Sequence, residues 1–183
     1  MRPSTQADDP GAARYGVQGF SLIELLIVIA IILIIAAIAI PNLLQARNQA
    51  NQASAVEGIR TITSANVVYW TTYNNGYAPT LDVLGGSNPP TCNGAMLLDP
   101  LLTTAPYRKS GYGYTYAPQG GANPTAPTGC GPGFQQYLVT AVPLSASTGT
   151  NSYCATEPAA IHYDTSGAAI GTPAACEALP EVR

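Results

Sequence analysis

Between Phe20 and Ile40 every position is apolar except Ser21 and Glu24. A helix rises about 1.5 Å per residue, so this run covers roughly 30 Å, the thickness of a bilayer core. Its apolar character goes all the way round rather than along one stripe, which argues against burial in a soluble domain. The run is longer than the about 7–15 apolar residues of a cleaved secretory signal, although Ala37-Ile38-Ala39 has that kind of cleavage pattern. After Asn42 the pattern changes. Apolar residues recur at Leu43, Leu44, Ala46, Ala50, Ala53, Val56, Ile59 and Ile62, with Gln45, Asn48, Gln49, Gln52 and Glu57 between them. Spacings of three and four predict a continuing, amphipathic helix. Pro41 falls inside that pattern, where the missing N–H and the ring clash cost about 3 kcal/mol, so a kink or local unwinding is expected there. Asn74-Asn75-Gly76 predicts the end of the helix near Tyr73, because Asn and Gly tolerate the left-handed conformation that terminates helices. Val67, Val68, Tyr69, Trp70 and Tyr73 make an aromatic end expected to anchor the remainder of the chain on the helix.

Beyond Tyr77 the periodicity shortens. Gly111–Ala117 alternates tyrosine with small or β-branched residues, and Gln136–Val142 is the clearest strand. Residues 152–155 and 160–163 predict shorter strands, and Asp164-Thr165-Ser166-Gly167 a turn. The expected fold class is α+β: a long N-terminal helix, hydrophobic then amphipathic, packed against a small antiparallel β-sheet. The pattern divides the chain into 1–19, ahead of the apolar run; 20–40, an apolar half-helix; 41–75, an amphipathic half-helix; and 76–183, a globular head. A head of about a hundred residues buries one modest core and benefits from cross-links.

Composition narrows the function classes. Charged residues make up 9% of the chain, with 10 acids, 7 bases and a net charge of −3. Strong electrostatic binding of nucleic acid is therefore not expected. The basic pair Arg108-Lys109 reads as a solvated turn. Disorder usually pairs low hydrophobicity with high net charge, and this chain has neither. No phosphate-binding or dinucleotide fingerprint occurs, since Gly111-x-Gly113 is too short. His162 is the sole histidine and lies in a strand-like run, where a surface or hydrogen-bonded role outweighs that of a general base. No enzyme activity, cofactor or metal site is expected; the scattered Glu157, Asp164, Glu177 and Glu181 do not form a calcium ligand array. The four cysteines, Cys92, Cys130, Cys154 and Cys176, lack zinc-type spacing and suit disulfides in an exported head. Three pairings are possible. Cys92–Cys130 with Cys154–Cys176 is favoured, because each pair stays within one region.

Glu24 remains to be explained. A carboxylate at a bilayer centre costs roughly 3 kcal/mol on insertion scales, and a plain anchor has no use for one. The stretch Gly19-Phe20-Ser21-Leu22-Ile23-Glu24-Leu25, followed by the apolar run and Pro41, resembles the class III signal of type IV prepilins and type II secretion pseudopilins. The resemblance is close over the first third of the chain and looser beyond. There, Asp99-Pro100, Leu101-Leu102, the Lys109–Tyr112 stretch and the Tyr137–Pro143 run resemble segments of major-pilin-like proteins. Leaders of that family usually carry a base close before the glycine; here Val17 and Gln18 stand there and the nearest base is Arg14.

The resemblance implies specific roles. A prepilin peptidase would cut between Gly19 and Phe20, and Phe20 would become the N-methylated terminus. Glu24 would attract that amine in a neighbouring subunit. The partners implied are the peptidase, other copies in a helical homopolymer, an inner-membrane assembly platform and, before assembly, the membrane itself. The Cys154–Cys176 loop would correspond to the disulfide-bounded C-terminal region of many type IV pilins. Arg2 and Arg14 before the run, against Arg47 after it, favour a cytoplasmic N-terminus and a periplasmic head, then an extracellular filament. Two other readings stand beside the pilus subunit: a type II secretion pseudopilin, and a tethered binding module that uses the helix only as an anchor. Adhesion, motility, DNA uptake and secretion all use this subunit design.

Overall fold

A computed structural model describes residues 19–86, 88–157 and 160–182. The elements are α1 (Leu22–Tyr73), α2 (Leu81–Leu84), α3 (Pro100–Thr103), β1 (Arg108–Lys109), β2 (Tyr112–Ala122), β3 (Phe134–Pro143), β4 (Ser152–Thr156), β5 (Ile161–Asp164) and α4 (Pro173–Glu177). The chain divides into two compact units, Met1–Pro41 and Asn42–Arg183. Within the first, the described residues are the start of α1 and the few residues before it. Their large apolar side chains lie open: Leu22 is 81% exposed and Leu33 66%. Pro41 lies within α1, which is 52 residues long and is long and apolar enough to cross a membrane.

The second unit is an α+β structure. Its strands form a five-stranded antiparallel sheet in the order β1-β2-β3-β4-β5, each paired with its neighbour in sequence. One face packs on the helix. The helix contributes Ala55, Ile59, Ile62, Ala65 and Tyr69, and the sheet contributes Tyr112, Tyr114, Tyr137, Val139, Ala141, Tyr153 and Ala155. The alternate residues of β2 turn to that face together, so Tyr112, Tyr114 and Tyr116 share one side, as the period of two requires. The fold class thus agrees with the sequence expectation.

The other face is covered too. Leu138, Cys154, Ile170 and Cys176 form a second, smaller cluster, with Leu179 packed against it. Residues 137–141 of β3 are consequently buried without interruption, which is why this strand reads as a continuous apolar run rather than an alternating one. The sheet edge beyond β5 is met by the C-terminal segment. Val182 N–H donates to the Ile161 carbonyl (2.8 Å), and Tyr163 N–H to that of Pro180 (3.0 Å).

Local chemistry explains the shorter elements. Asp99 caps α3 by accepting from Leu101 N–H (2.6 Å), and Thr172 caps α4 by accepting from Ala175 N–H (3.2 Å). A proline follows each cap, where its missing N–H costs nothing. At the end of α1, Asn74 (φ 48°) and Gly76 (φ 83°) turn the chain through the left-handed region. A Cβ on Gly76 would stand 2.6 Å from the Phe134 carbonyl oxygen, so backbone approach as well as conformation calls for glycine.

The aromatic end of α1 behaves differently from its sequence reading. Tyr69 is buried and Tyr73 packs against the core, but Val67, Val68 and Trp70 are exposed, Trp70 to 40%. The buried stripe advances as Ala55, Gly58, Ile59, Ile62, Ala65, Asn66 and Tyr69. At 100° per residue, positions 67, 68 and 70 fall off it. Trp70 instead meets Tyr77 edge-on, with ring centroids 4.8 Å apart.

Candidate functional site

The residues singled out by sequence at the N-terminus cluster where α1 begins. Gly19 and Phe20 precede the helix, and Phe20 is 79% exposed. Glu24 stands in the first turn, where an acid is favoured by the helix dipole. Its Oε2 accepts from Ser21 N–H at 2.9 Å. This is one arm of a capping box: the acid three residues after the cap satisfies a backbone N–H that the helix leaves without a partner. The spacing Ser21-x-x-Glu24 carried this signal in the sequence. A carboxylate has about four acceptor positions on two oxygens, so this one bond leaves capacity for a cation. Among the described residues nothing lies within 4 Å of where a Cβ on Gly19 would be. Residues 1–18 of the expected leader lie outside the described residues.

In the second unit, the notable chemistry is buried and polar. Asn66 and Asn75 are fully buried. Asn66 Oδ1 accepts from Ala78 N–H (3.2 Å) and from the Tyr116 hydroxyl (3.0 Å), while its Nδ2 donates to the Ile62 carbonyl (3.2 Å). Asn75 accepts from Gly133 N–H (3.3 Å) and donates to the Gly131 carbonyl (2.8 Å). Each side chain substitutes for backbone pairing where helix, loop and sheet meet, as a buried amide must. Sequence reading used Asn75 only as a helix stop and passed over Asn66. Its spacing of four from Ile62 and three from Tyr69 was the available signal.

The surrounding tyrosines stay neutral. Burial pushes the phenols of Tyr69, Tyr112, Tyr116, Tyr137 and Tyr153 above their ordinary value, and that of Tyr114 up to about 12. At neutral pH each keeps an O–H that can donate, although the buried Tyr114 hydroxyl meets no partner among the described residues. Tyr69 donates to the Cys92 carbonyl (2.8 Å) and Tyr112 to that of Asn151 (2.9 Å). His162 is buried, with Nδ1 2.7 Å from the Leu179 carbonyl oxygen, so it fastens the C-terminal segment to β5. Among the described residues no group of three or more His, Cys, Asp or Glu side chains is placed to hold a metal ion.

The cysteines are joined as Cys92–Cys130 (S–S 2.06 Å) and Cys154–Cys176 (S–S 2.03 Å). The second lies in the smaller core cluster and is fully buried. The first is half-buried and closes a loop region that Asn93 also ties, donating to the Gly129 carbonyl (2.8 Å) and accepting from Gly131 N–H (3.0 Å).

Comparison with known proteins bears on the first of these regions. The family described as the prokaryotic N-terminal methylation motif matches residues 14–40. The chain is also similar to the "Type IV wide pilus major component PilA4" of Thermus thermophilus, with 71% identity over 34 residues. That match spans 19% of this chain and 26% of the relative's length, so the chain spans about a quarter of that protein. No solved structure gives a significant match. The motif thus sits on a long apolar N-terminal helix, in a chain whose second unit is an α+β structure of helix and antiparallel sheet. The chain carries that motif at its N-terminus.

Proposed function

We propose that this chain is the building subunit of a type IV pilus. It is held in the membrane by the apolar half of α1 and polymerised through that helix after cleavage between Gly19 and Phe20. The observation that carries the reading is the pairing of Glu24 with an otherwise open, wholly apolar helix turn, in a stretch similar to a pilus component. Cleavage at Gly19 creates an ammonium on Phe20, close in sequence to the carboxylate. In a low-dielectric site either charge alone is penalised, whereas the two together attract strongly. An incoming subunit whose Phe20 amine meets Glu24 of its neighbour relieves that penalty and fixes axial register, which a featureless apolar helix cannot do. Methylation leaves a secondary amine, which keeps the charge. The exposure of Gly19 and Phe20 suits access by a peptidase, and Pro41 allows the helix to adjust when packed.

In this reading the peptidase, an inner-membrane assembly platform and further copies of the chain are its partners. The head lies in the periplasm before assembly and on the filament afterwards. Mass spectrometry of the mature protein tests it directly. The expected terminus is N-methylated Phe20; an intact Met1 would mean a tether. Loss of surface filaments on deletion of the gene supports the pilus. Loss of enzyme secretion with filaments intact would instead make the chain a secretion pseudopilin.

A further inference from the structure

The two edges of the sheet carry opposite charge. At one edge, β1 presents Arg108, which is exposed and has no carboxylate within ion-pair distance among the described residues. Its neighbour Lys109 is 3.5 Å from Asp99 and thereby engaged. At the opposite edge, beyond β5, the C-terminal segment places exposed Glu181 on the rim of a groove of about 800 Å³. The groove runs between α1 and the sheet and is lined by Gln52, Val56, Tyr153, Tyr163 and Val182 together with Glu181. Arg60 borders the neighbouring hollow but is bound to Glu57 at 3.0 Å.

A mainly apolar groove with two phenol rings and one carboxylate is suited to a guanidinium. The planar cation stacks on aromatic faces and pairs with carboxylate in a fork geometry, while its methylene stem covers apolar surface. We propose that this groove receives the β1 edge of a second copy of this chain, with Arg108 seated against Tyr163 and paired with Glu181. Because donor and acceptor lie on opposite sheet edges, the contact is heterologous: each copy offers a free groove at one side and a free arginine at the other. Such a contact propagates rather than closing into a dimer. Exposed Leu101, next to the β1 region, adds apolar area to the same shoulder. Arg47, the other arginine without a carboxylate partner among the described residues, is on α1 rather than at the β1 edge, so it does not supply the opposite side.

This contact rests on the pilus-subunit reading, and the two are separable. The full chain is expressed as wild type, Arg108→Glu, Glu181→Arg, the double exchange, and Arg47→Glu with and without Glu181→Arg. Sheared filament and the processed membrane pool are each quantified by immunoblot. The expected result is a loss of filament of at least tenfold in the Arg108→Glu and Glu181→Arg single variants, with an undiminished membrane pool. The double exchange is expected to return to within threefold of wild type. Single variants that polymerise normally overturn the contact, as does a failure of the double exchange to recover, or recovery of Arg47→Glu by Glu181→Arg instead. A wild-type chain that is processed but never leaves the membrane overturns the pilus reading itself. As a second measurement, a photo-crosslinking residue in place of Tyr107 in wild-type filaments is expected to capture residues 161–182 of another copy; capture of any other segment overturns the proposal.

Discussion

The first turns of α1 and the head use apolar side chains in opposite ways. In residues 20–40 the isoleucines and leucines are about half exposed or more, and the polar chemistry consists of one carboxylate bonded to one backbone N–H. In the head, apolar residues are buried on both faces of the sheet, and the buried amides have partners on several elements. Burying a leucine or isoleucine is worth about 1.5–3 kcal/mol. The head gains this on folding. The apolar half-helix gains nothing comparable within its own chain and gains it only from lipid or from other helices. A substitution in the first region should therefore alter assembly and leave folding alone, while one in the head should alter stability first.

The largest effect is expected at Glu24. Glu24→Ala removes the acceptor that the Ser21 N–H uses, a capping loss of about 1 kcal/mol at most. It also removes the proposed partner of the Phe20 amine, leaving that ammonium unpaired in the packed filament. Filament yield is expected to fall by at least a hundredfold, while thermal unfolding of the head in detergent-solubilised full chain moves by less than about 2 °C, because the capping loss falls in the other unit. A large shift in head unfolding would break the separation between the regions, and normal filament yield would remove the charge-pairing mechanism.

The two disulfides sharpen the comparison within the head. In the chain-entropy account, a closed loop of 38 residues is favoured over one of 22 by about 0.5 kcal/mol, so Cys92–Cys130 should matter more. Burial argues the reverse. Replacing Cys154 and Cys176 by alanine empties part of the smaller core and frees the segment that covers the second sheet face. The Cys154→Ala/Cys176→Ala pair is expected to cost about 4 kcal/mol, and the Cys92→Ala/Cys130→Ala pair about 2–3 kcal/mol, read from denaturant midpoints of the full chain in detergent. Partial reduction with alkylation and peptide mapping should label Cys92 and Cys130 first. The reverse order would show that loop closure outweighs burial.

Much of this architecture was legible in the sequence. The length of α1 followed from apolar continuity, then spacing of three and four, then Asn74-Asn75-Gly76. Strands β2 to β5 followed from alternation and turn residues, and with them the α+β class. The short helices α2, α3 and α4 were not legible, because four or five residues carry no period. Asp99-Pro100 and Thr172-Pro173 were cap signals without a following pattern to attach them to. The second sheet face was hidden for a different reason. Leu138 and Thr140 looked like part of one buried strand, and only the chain's return through Ile170 and Cys176 shows why both sides of β3 are covered. At the N-terminus, the motif residues Gly19, Phe20 and Glu24 stood out at once, while the capping bond to Ser21 was present in the spacing and passed over. Asn66 was hidden because a polar residue on an apolar stripe reads as an interruption.

Asn66 therefore supplies the smallest of these effects and the finest test of what holds the head together. Three partners converge on it, but they are not equally dependent. The Tyr116 hydroxyl has one hydrogen and lies 2.8 Å from the Ala78 carbonyl oxygen, closer than the 3.0 Å to Asn66 Oδ1. It can turn fully to Ala78 if Asn66 is lost. The Ala78 N–H has no such alternative, and Ala78 is fully buried. An unsatisfied buried donor costs about 1–3 kcal/mol, whereas a hydrogen bond removed with its partner re-satisfied costs less. On that basis Asn66→Ala is expected to destabilise the head by about 2 kcal/mol and Tyr116→Phe by about 1 kcal/mol. Because Tyr116 can still use Ala78, the double variant should fall close to the sum. Filament yield should follow only the fraction of folded subunit. A double-mutant cycle on denaturation midpoints checks this: a coupling larger than about 1 kcal/mol would mean that Asn66 and Tyr116 act as one unit. The orphaned Ala78 amide would then not be the main cost.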